Sequence, residues 1–237
     1  MVHLKSESRG TEEVLIPLER VAKFVRQLSH DLRNSFGAID LQAAFLSELV
    51  SDPEVIAELR KMRGMVSTGA KSLQTLSAKF AAANPNLVAL PAKMFMEDFQ
   101  DRLARTHAEE AAQLKWSIHL EEESIAVDLE MLFTALAELC RNAFHFRRGG
   151  EPILGSAQSE DGHLVVELRQ PVAAPETAPE TWGRTPLVTT RRGGYGLGLY
   201  QARHLLAAHR GTVDFVHDPT AALLTTRVVL PLADPSE

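Results

Sequence analysis

The sequence predicts an α+β fold in which a long antiparallel helical hairpin is followed by an α/β sandwich. Apolar residues recur in steps of three and four along two long segments, which is the spacing of a buried helix stripe. Ser51, Asp52 and Pro53 separate these segments and combine a helix cap with a proline suited to the first helical turn. After Asn84, shorter helical and strand-like patterns alternate to the end of the chain, which predicts the sandwich.

The two helices of the hairpin are predicted over residues 15–50 and about 55–80. Their apolar stripes consist of Val21, Val25, Leu28, Leu32, Phe36, Ile39, Ala43, Leu46 and Val50, and of Val55, Leu59, Met62, Val66, Gly69, Leu73, Leu76 and Phe80. A lone hairpin leaves both stripes half exposed, and pairing with a second copy would bury them in a four-helix bundle. We therefore expect a homodimer.

The predicted domain organisation has four parts. A flexible N-terminus covers residues 1–14, the helical hairpin that is expected to dimerise 15–84, a linker 85–91, and the sandwich domain 92–237. Within the sandwich domain, the segment 170–186 is rich in proline, alanine, glutamate and threonine and has little to bury, which predicts a mobile loop or lid. The predicted strands are 87–90, 115–120, 153–157, 163–169, 212–217 and 222–230, and the predicted helices are 92–107, 129–146 and 197–208.

Composition excludes several classes of function. The 237 residues are 45% hydrophobic, enough for a real core, and the net charge of -6 without a sustained Lys/Arg run argues against nucleic-acid binding. No apolar run reaches the roughly 18 residues that cross a bilayer, and the first twenty residues are too polar for a signal peptide. We expect a cytoplasmic protein without a membrane partner. Cys140, the only cysteine, lies among apolar residues and is predicted to be a core residue.

His30 is the first candidate for chemistry, within the run Ser29-His30-Asp31-Leu32-Arg33-Asn34. It lies about 200° around the helix from the stripe residues on either side, so it is predicted to face water. Asn34 is one turn later on the same face, and Asp31 is a neighbouring carboxylate that can fix the imidazole tautomer. An exposed neutral imidazole is a competent nucleophile near pH 7. The alternative is a solvent-facing histidine without a chemical role.

Glu138 and Asn142 are the second candidate pair. They are four residues apart and therefore share one helix face, while the apolar residues of 136–146 lie on the opposite face. An acid and an amide that project together can hold a hydrated Mg²⁺ and leave phosphate oxygens to complete its coordination shell. The alternative is a surface glutamate followed by an asparagine near a helix end.

The third candidate is a glycine-rich run just before the last predicted helix. Gly194, Gly196 and Gly198 allow the backbone to come close to a ligand, and the helix that follows offers free N–H groups to phosphate. Arg191 and Arg192 add positive charge nearby. Glycines also serve ordinary turns, so the order of the three patches along the chain carries more information than any one of them.

That order resembles the catalytic core of a two-component sensor histidine kinase. Residues 29–34 resemble the phosphoacceptor box of this family, 138–146 its Asn box, 186–191 the segment before the last glycine box, and 194–199 that box. The ending His209-Arg210-Gly211-Thr212-Val213 resembles the last strands of the family. The resemblance covers residues 15–232 and implies a dimeric hairpin followed by a Bergerat-type sandwich, the ATPase domain of histidine kinases.

The resemblance also implies a role for each residue. His30 would take the γ-phosphoryl group of ATP and pass it to an aspartate of a response-regulator receiver domain. Asp31 would assist as a base, and Asn34 occupies the position associated with phosphatase activity. Glu138 would act in catalysis and, with Asn142, would hold Mg²⁺. The implied nucleotide-binding residues are Asn142, His145, Gln170, Arg191, Gly194, Gly196, Leu197 and Gly198.

One departure from the family is located at the predicted adenine site. The family has an Asp-x-Gly-x-Gly box there, whereas this chain has Gln170-Pro171-Val172-Ala173-Ala174. The amide oxygen of Gln170 can accept a hydrogen bond from adenine but carries no charge. Loss of a charge-assisted hydrogen bond costs about 1.5 to 3 kcal/mol.

The sequence therefore leaves two main functions open. One is an ATP-dependent histidine kinase, which explains the presence of Glu138, Asn142 and the complete glycine box. The other is a histidine phosphotransferase that relays phosphate between response regulators through His30 without binding nucleotide, which explains the missing adenine box. A dimeric scaffold would require three coincidences in the correct order, and a serine kinase of the same ATP-binding fold would not need the hairpin that carries His30.

Overall fold

The computed structural model describes residues 17–81, 83–175, 177–190 and 194–233. The chain forms two compact units, Met1–Ala81 and Ala82–Glu237. The predicted flexible N-terminus, residues 1–14, lies outside the described residues. In the part of the chain described, none of the helices combines the length and the apolar character needed to span a membrane.

The first unit is the predicted helical hairpin, made of α1 (Leu18–Leu49) and α2 (Pro53–Ala78). Asp52 caps α2, because its side chain accepts a hydrogen bond of 2.8 Å from the Glu54 N–H, and Pro53 takes the first helical position. The ring of Phe36 on α1 lies against Gly69 on α2, where a Cβ atom would be only 2.9 Å from it. A glycine in the apolar stripe of α2 thus makes room for a large aromatic ring.

The apolar surface of α1 is only partly covered within one chain. Ala43 is buried, and Val25, Leu32 and Phe36 are half-buried. Several large apolar side chains of the same helix stay exposed, namely Phe24, Leu28, Ile39, Leu41, Phe45, Leu46 and Leu49. A second apolar strip on α1 therefore has no cover from α2.

The second unit is an α/β sandwich. Its strands are β1 (Val88–Pro91), β2 (Leu114–His119), β3 (Ser124–Val127), β4 (Ile153–Glu160), β5 (His163–Pro171), β6 (Thr212–Asp218) and β7 (Leu223–Pro231). Its helices are α3 (Ala92–Thr106), α4 (Ala108–Ala111), α5 (Leu129–Phe146) and α6 (Gly198–Ala208), with a short 3₁₀ helix at Pro179–Thr181. The main sheet has the order β2-β4-β5-β7-β6, with β2 and β4 parallel and all other neighbours antiparallel. β1 and β3 form a separate antiparallel pair.

The core lies between one face of the main sheet and the helices. Strand β7 alternates between buried and half-buried residues along its whole length, as expected for a sheet covered on one face. The other face of the sheet carries charge, with Arg227 paired to both Glu160 and Glu167. Cys140 is 1% exposed in this core, and burial raises the pKa of its thiol to about 12, which fits a structural rather than a reactive residue.

Asp128 and His209 join α5, α6 and the chain that precedes β1. Asp128 caps α5 by accepting a hydrogen bond of 3.0 Å from the Met131 N–H, and its second oxygen accepts one of 3.0 Å from the Asn86 N–H. The backbone N–H of Asp128 donates to Nε2 of the buried His209, and Nδ1 of His209 donates to the Leu205 carbonyl. Three separate stretches of sequence are thereby held together.

The structure differs from the predicted elements in several places, and helix α4 and the 3₁₀ helix are also additions to the prediction. Strand β3 was not predicted. Strand β1 occupies much of the predicted linker 85–91 and pairs with β3. Strand β5 continues to Pro171, so Gln170 and Pro171 belong to the sheet and not to a loop; the Pro171 carbonyl accepts a hydrogen bond of 2.8 Å from the Arg148 N–H.

Part of the predicted lid packs against the sandwich. Trp182, directly after the 3₁₀ helix, lies 5.6 Å from the Phe215 ring on β6, measured between ring centroids. Arg203 on α6 donates a hydrogen bond of 2.6 Å to the Trp182 carbonyl. This aromatic residue was not singled out from the sequence, because its partner is distant along the chain.

Candidate phosphoacceptor and nucleotide sites

His30 lies in the middle of α1 with its side chain 64% exposed, as predicted. Its Nδ1 atom is 3.2 Å from Asp31 Oδ1 and 3.4 Å from Asn34 Nδ2. The same oxygen of Asp31 accepts a hydrogen bond of 3.0 Å from Gln27 Nε2. Ser29, the preceding residue, is buried, so the boundary between covered and exposed helix surface lies between the two residues. The structure thus brings together the three predicted residues and adds Gln27.

The two contacts of His30 Nδ1 belong to opposite tautomers, because a carboxylate only accepts hydrogen bonds and the amide nitrogen of Asn34 only donates them. The shorter contact, to the charged Asp31 carboxylate, favours the tautomer with the proton on Nδ1. The hydrogen bonds from His30 and then from Gln27 hold the pKa of Asp31 below its ordinary value, which keeps the carboxylate ionised. The lone pair of Nε2 is consequently free and turned away from Asp31. The site can act as a nitrogen nucleophile through Nε2.

Glu138 is held at the contact between α5 and α6. Its carboxylate forms an ion pair with Arg141, three residues later on the same helix. A Cβ atom placed on Gly198, the first residue of α6, would overlap the Glu138 carboxylate. The glycine at this position therefore allows the backbone of α6 to approach an acidic side chain directly. Two of the three patches identified in the sequence meet here.

Asn142 and His145 lie one and two turns beyond Glu138 on α5. Asn142 is half-buried, and His145 is exposed with its ring edge-on to Phe146 at 5.0 Å. The C-terminal end of α5 is close to the end of β5, because the Arg148 N–H donates to the Pro171 carbonyl. Helix α5 thus connects the start of α6 to the strand end that carries Gln170.

Gln170 is completely buried, and neither its Oε1 nor its Nε2 atom has a hydrogen-bond partner among the described residues. Its side chain shares the helix-covered face of β5 with Leu168 and stands opposite Leu224 on β7. More than 90% of buried polar groups in folded proteins have a partner, and an unsatisfied one costs about 1 to 3 kcal/mol. The described part of the chain therefore leaves this amide unsatisfied at the end of β5.

The glycine-rich run is tightly packed where the structure describes it. Gly196 has a φ of +64°, and a Cβ atom there would lie 2.5 Å from the Val188 backbone nitrogen. Its carbonyl accepts a hydrogen bond of 2.9 Å from the Leu187 N–H. Leu197 is buried at 1% exposure, so only its backbone is available to a ligand. Gly194 is half-buried, and Arg191 lies outside the described residues.

Two polar residues of these sites were missed in the sequence, Gln27 and Arg141. Gln27 is four residues before Asp31, and Arg141 is three residues after Glu138, so both spacings place the pairs on one helix face. A search for polar residues three or four positions from each predicted residue would have identified both.

Comparisons with known proteins agree with this description. No family model matches the chain. Among curated proteins, the chain is 24% identical over 240 residues to the sensory histidine kinase/phosphatase NtrB of Escherichia coli O157:H7, an alignment that covers 92% of this chain and 66% of NtrB. It is 27% identical over 222 residues to the sensor histidine kinase CusS of Escherichia coli O6:H1, covering 84% of this chain and 43% of CusS.

Solved structures show the same fold. Full-length ShkA in complex with AMPPNP matches with a TM-score of 0.66 and 19% identity over 90% of this chain and 46% of ShkA. The nucleotide-free catalytic domain of the histidine kinase ThkA matches with a TM-score of 0.51 and 15% identity over 62% of this chain and 95% of that domain.

The chain spans slightly less than two thirds of the length of NtrB and less than half of CusS and ShkA. The matched part of this chain contains a helical hairpin with an exposed histidine, followed by a sandwich with a mixed five-stranded sheet. In sequence, in fold and in the order of its motifs, this chain is similar to the core of sensor histidine kinases, and its second unit has the fold of their catalytic domain.

Proposed function

We propose that the chain is an ATP-dependent protein-histidine kinase in two-component signalling. His30 takes the γ-phosphoryl group of ATP and passes it to an aspartate of a response-regulator receiver domain. The observation that favours a kinase over a phosphotransferase without nucleotide is the packing of Gly198 directly on Glu138. A chain that no longer used nucleotide would have no need for a backbone-to-carboxylate approach at the start of α6.

The chemistry at His30 follows from its tautomer. The Nε2 lone pair attacks the γ-phosphorus, the bond between that phosphorus and the bridging β–γ oxygen breaks, and ADP leaves with the bond electrons. The imidazole becomes cationic when the Nε2–P bond forms, and Asp31 stabilises the positive charge through the hydrogen bond to Nδ1. In the second step, a receiver carboxylate attacks the phosphorus and the Nε2–P bond breaks, which restores the neutral ring.

The nucleotide site is proposed along α5 and the start of α6. Asn142 and Glu138 offer oxygen ligands one turn apart, and these fit Mg²⁺, which uses one or two protein oxygens and completes its shell with water and phosphate. When bound, the ion neutralises charge on the phosphates. The backbone of Gly194, Gly196, Leu197 and Gly198 contacts phosphate, with His145 and Arg191 as further donors, and Gln170 contacts the base.

We propose a homodimer built on the hairpin. The uncovered apolar strip of α1 includes Leu41, 72% exposed, and Leu49, 66% exposed. Exposed apolar surface of this extent on a helix indicates a protein partner, and a second copy of the same helix offers a complementary strip. The assembly would then be a four-helix bundle. We place the protein in the cytoplasm, without nucleic-acid or membrane partners.

The receiver domain is proposed to bind beside His30 on the hairpin. A groove of about 510 Å³ between the two helices is lined by Arg33, Gly37 and Gly64 and by the ion pair of Asp40 and Arg63. Both glycines are inside helices, yet no atom lies within 4 Å of where their Cβ atoms would be. Since helix-interior glycine costs about 1 kcal/mol relative to alanine, these two positions favour close approach of another protein.

Incubation of the purified chain with Mg²⁺ and γ-labelled ATP tests the kinase proposal. We expect acid-labile label on the wild-type chain, none on His30→Gln, and a strong reduction in Asn142→Asp. His163→Gln, which changes an exposed histidine on the sheet, serves as the matched control and should label normally. Label that remains on His30→Gln would contradict the site.

Two further outcomes separate the alternatives. No labelling by ATP, together with transfer to His30 from a phosphorylated receiver domain, would identify a phosphotransferase. No phosphate on His30 from either donor would leave only a scaffold.

A further inference from the structure

The strongest unexplained feature of the second unit is the amide of Gln170. Four buried side-chain atoms of the described residues have no partner, and they belong to Gln170, Arg203 and His217. Arg203 uses its other nitrogens for hydrogen bonds to the Trp182 and Val213 carbonyls. Gln170 alone among the three has both ends of its polar group buried and unpartnered.

The amide lies at the nucleotide end of the sandwich. Gln170 is the last residue but one of β5, and the next residue, Pro171, is hydrogen-bonded to the backbone just after α5. Asn142 lies one turn before the end of that helix. Buried Val172 follows directly and donates its N–H to the Ala222 carbonyl at 3.0 Å. The amide has no exposed surface in this structure, so a base could contact it only after the residues that cover it had moved.

The orientation of this amide is not fixed by the chain. A side-chain amide presents an acceptor and a donor side by side, and rotation by 180° exchanges them. In many proteins a hydrogen bond from a neighbouring residue selects one of the two orientations. None of the described residues provides such a bond to Gln170, so no hydrogen bond within the described chain selects one orientation over the other.

Purine bases present the complementary pattern in two opposite orders. Adenine has an N6 amino donor beside the N1 acceptor, whereas guanine and hypoxanthine have an O6 acceptor beside the N1–H donor. An amide that can turn end for end forms two hydrogen bonds with either edge. A carboxylate at this position only accepts, so it could not pair with both atoms of either edge.

We propose that Gln170 makes the base site of this chain indifferent to the 6-substituent of the purine. The nucleotide donor is then a purine nucleoside triphosphate with either a 6-amino or a 6-oxo group, not ATP alone. This inference rests on the proposed nucleotide-dependent function and specifies the substrate class of the same site.

Binding of Mg²⁺-ATP and Mg²⁺-ITP to the whole chain, measured by calorimetry, tests the proposal. Inosine triphosphate is the sharpest probe because it differs from ATP at the 6-position and N1 and lacks the additional 2-amino group of GTP. We expect dissociation constants within about threefold of each other. ITP binding weaker than ATP binding by about twentyfold or more would overturn the inference and leave the kinase proposal intact.

Gln170→Leu provides a second, independent measurement. Its affinities for ATP and ITP should fall in parallel, by about tenfold or more, because both nucleotides lose the same two hydrogen bonds. The ligand-free variant should melt at a higher temperature than wild type, since a buried unpartnered amide is replaced by an apolar group. A lower melting temperature would show that the free chain already satisfies the amide and would overturn the inference. Binding of neither nucleotide at millimolar concentration would overturn the kinase proposal as well.

Discussion

Nδ1 of His30 lies 3.2 Å from Oδ1 of Asp31, a contact that favours the imidazole tautomer with its lone pair on Nε2. Gln27 donates to the same oxygen from one turn earlier on α1. The three residues form a short chain of hydrogen bonds in which Gln27 holds the carboxylate that in turn holds the imidazole.

Gln27→Ala is expected to loosen this chain without unfolding the helix. The pKa of Asp31 should move toward its ordinary value, because one of the two hydrogen bonds that lower it is lost. The share of His30 with its proton on Nδ1 should fall, and phosphorylation should slow by about two- to tenfold. Nitrogen-15 NMR of the labelled imidazole measures the tautomer directly. Gln42→Ala, at an exposed position further along α1, is the control, and an unchanged tautomer in Gln27→Ala would contradict the assignment.

Gly198→Ala is expected to separate α6 from α5. The new Cβ atom would overlap the Glu138 carboxylate, and overpacking of this kind costs about 1 to 3 kcal/mol. Nucleotide binding should be lost with it, because the start of α6 would move. Thermal unfolding and calorimetry with Mg²⁺-ATP measure the two effects. Gly37→Ala on α1 is the control, because the new Cβ atom would meet no other atom and should stabilise the hairpin by about 1 kcal/mol. Normal nucleotide binding by Gly198→Ala would refute the proposed role of the contact with Glu138.

Asp128 should make the stability of the second unit depend on acid pH. Hydrogen bonds from the backbone N–H groups of Met131 and Asn86 hold the pKa of Asp128 below its ordinary value of 3.8. A carboxylate with a lowered folded pKa stabilises the fold above about pH 4, and this contribution is lost as the pH falls through the lowered value.

Asp128→Asn should therefore lower the free energy of unfolding at pH 7 by about 1 kcal/mol and flatten its fall below pH 4. Chemical denaturation at a series of pH values measures both. Asp101→Asn, at an exposed position of α3, should behave like wild type. An unchanged acid profile in Asp128→Asn would show that other carboxylates dominate.

Phe45→Glu is expected to convert the proposed dimer into a monomer. Phe45 belongs to the uncovered strip of α1 and is 53% exposed in the single chain, so a charge there is tolerated by the monomer and not by a buried interface. Sedimentation measures the mass, and circular dichroism checks that the helices persist. Leu154→Glu is a matched control, because Leu154 on the sheet has the same exposure. A variant that remains dimeric would place the interface elsewhere.

The hairpin and the long helices were predictable because their patterns are local. Residues such as Phe36 and Gly69 fall on their stripes by helical spacing alone, and their contact confirms the predicted pairing of the two helices. Helix α5 was predicted with its observed bounds, since Asp128 is a strong cap and its apolar face is continuous.

The parts that escaped prediction depend on contacts between distant segments. β3 has only four residues, and its partner strand β1 is more than thirty residues earlier in the sequence, before α3, so no local pattern marks it. Pro171 looked like the start of a loop, yet it can end a strand because its carbonyl still bonds to the Arg148 N–H. The isolation of the Gln170 amide was invisible for a similar reason, since burial and missing partners are properties of the packed chain.

Asp128 connects the segment before β1 to two helices of the second unit. The Asn86 N–H donates a hydrogen bond to the Asp128 side chain at the start of α5, and the Asp128 N–H donates one to His209, which directly follows α6. The segment that leads into β1 is thereby anchored to the same two helices that carry Glu138 and Gly198.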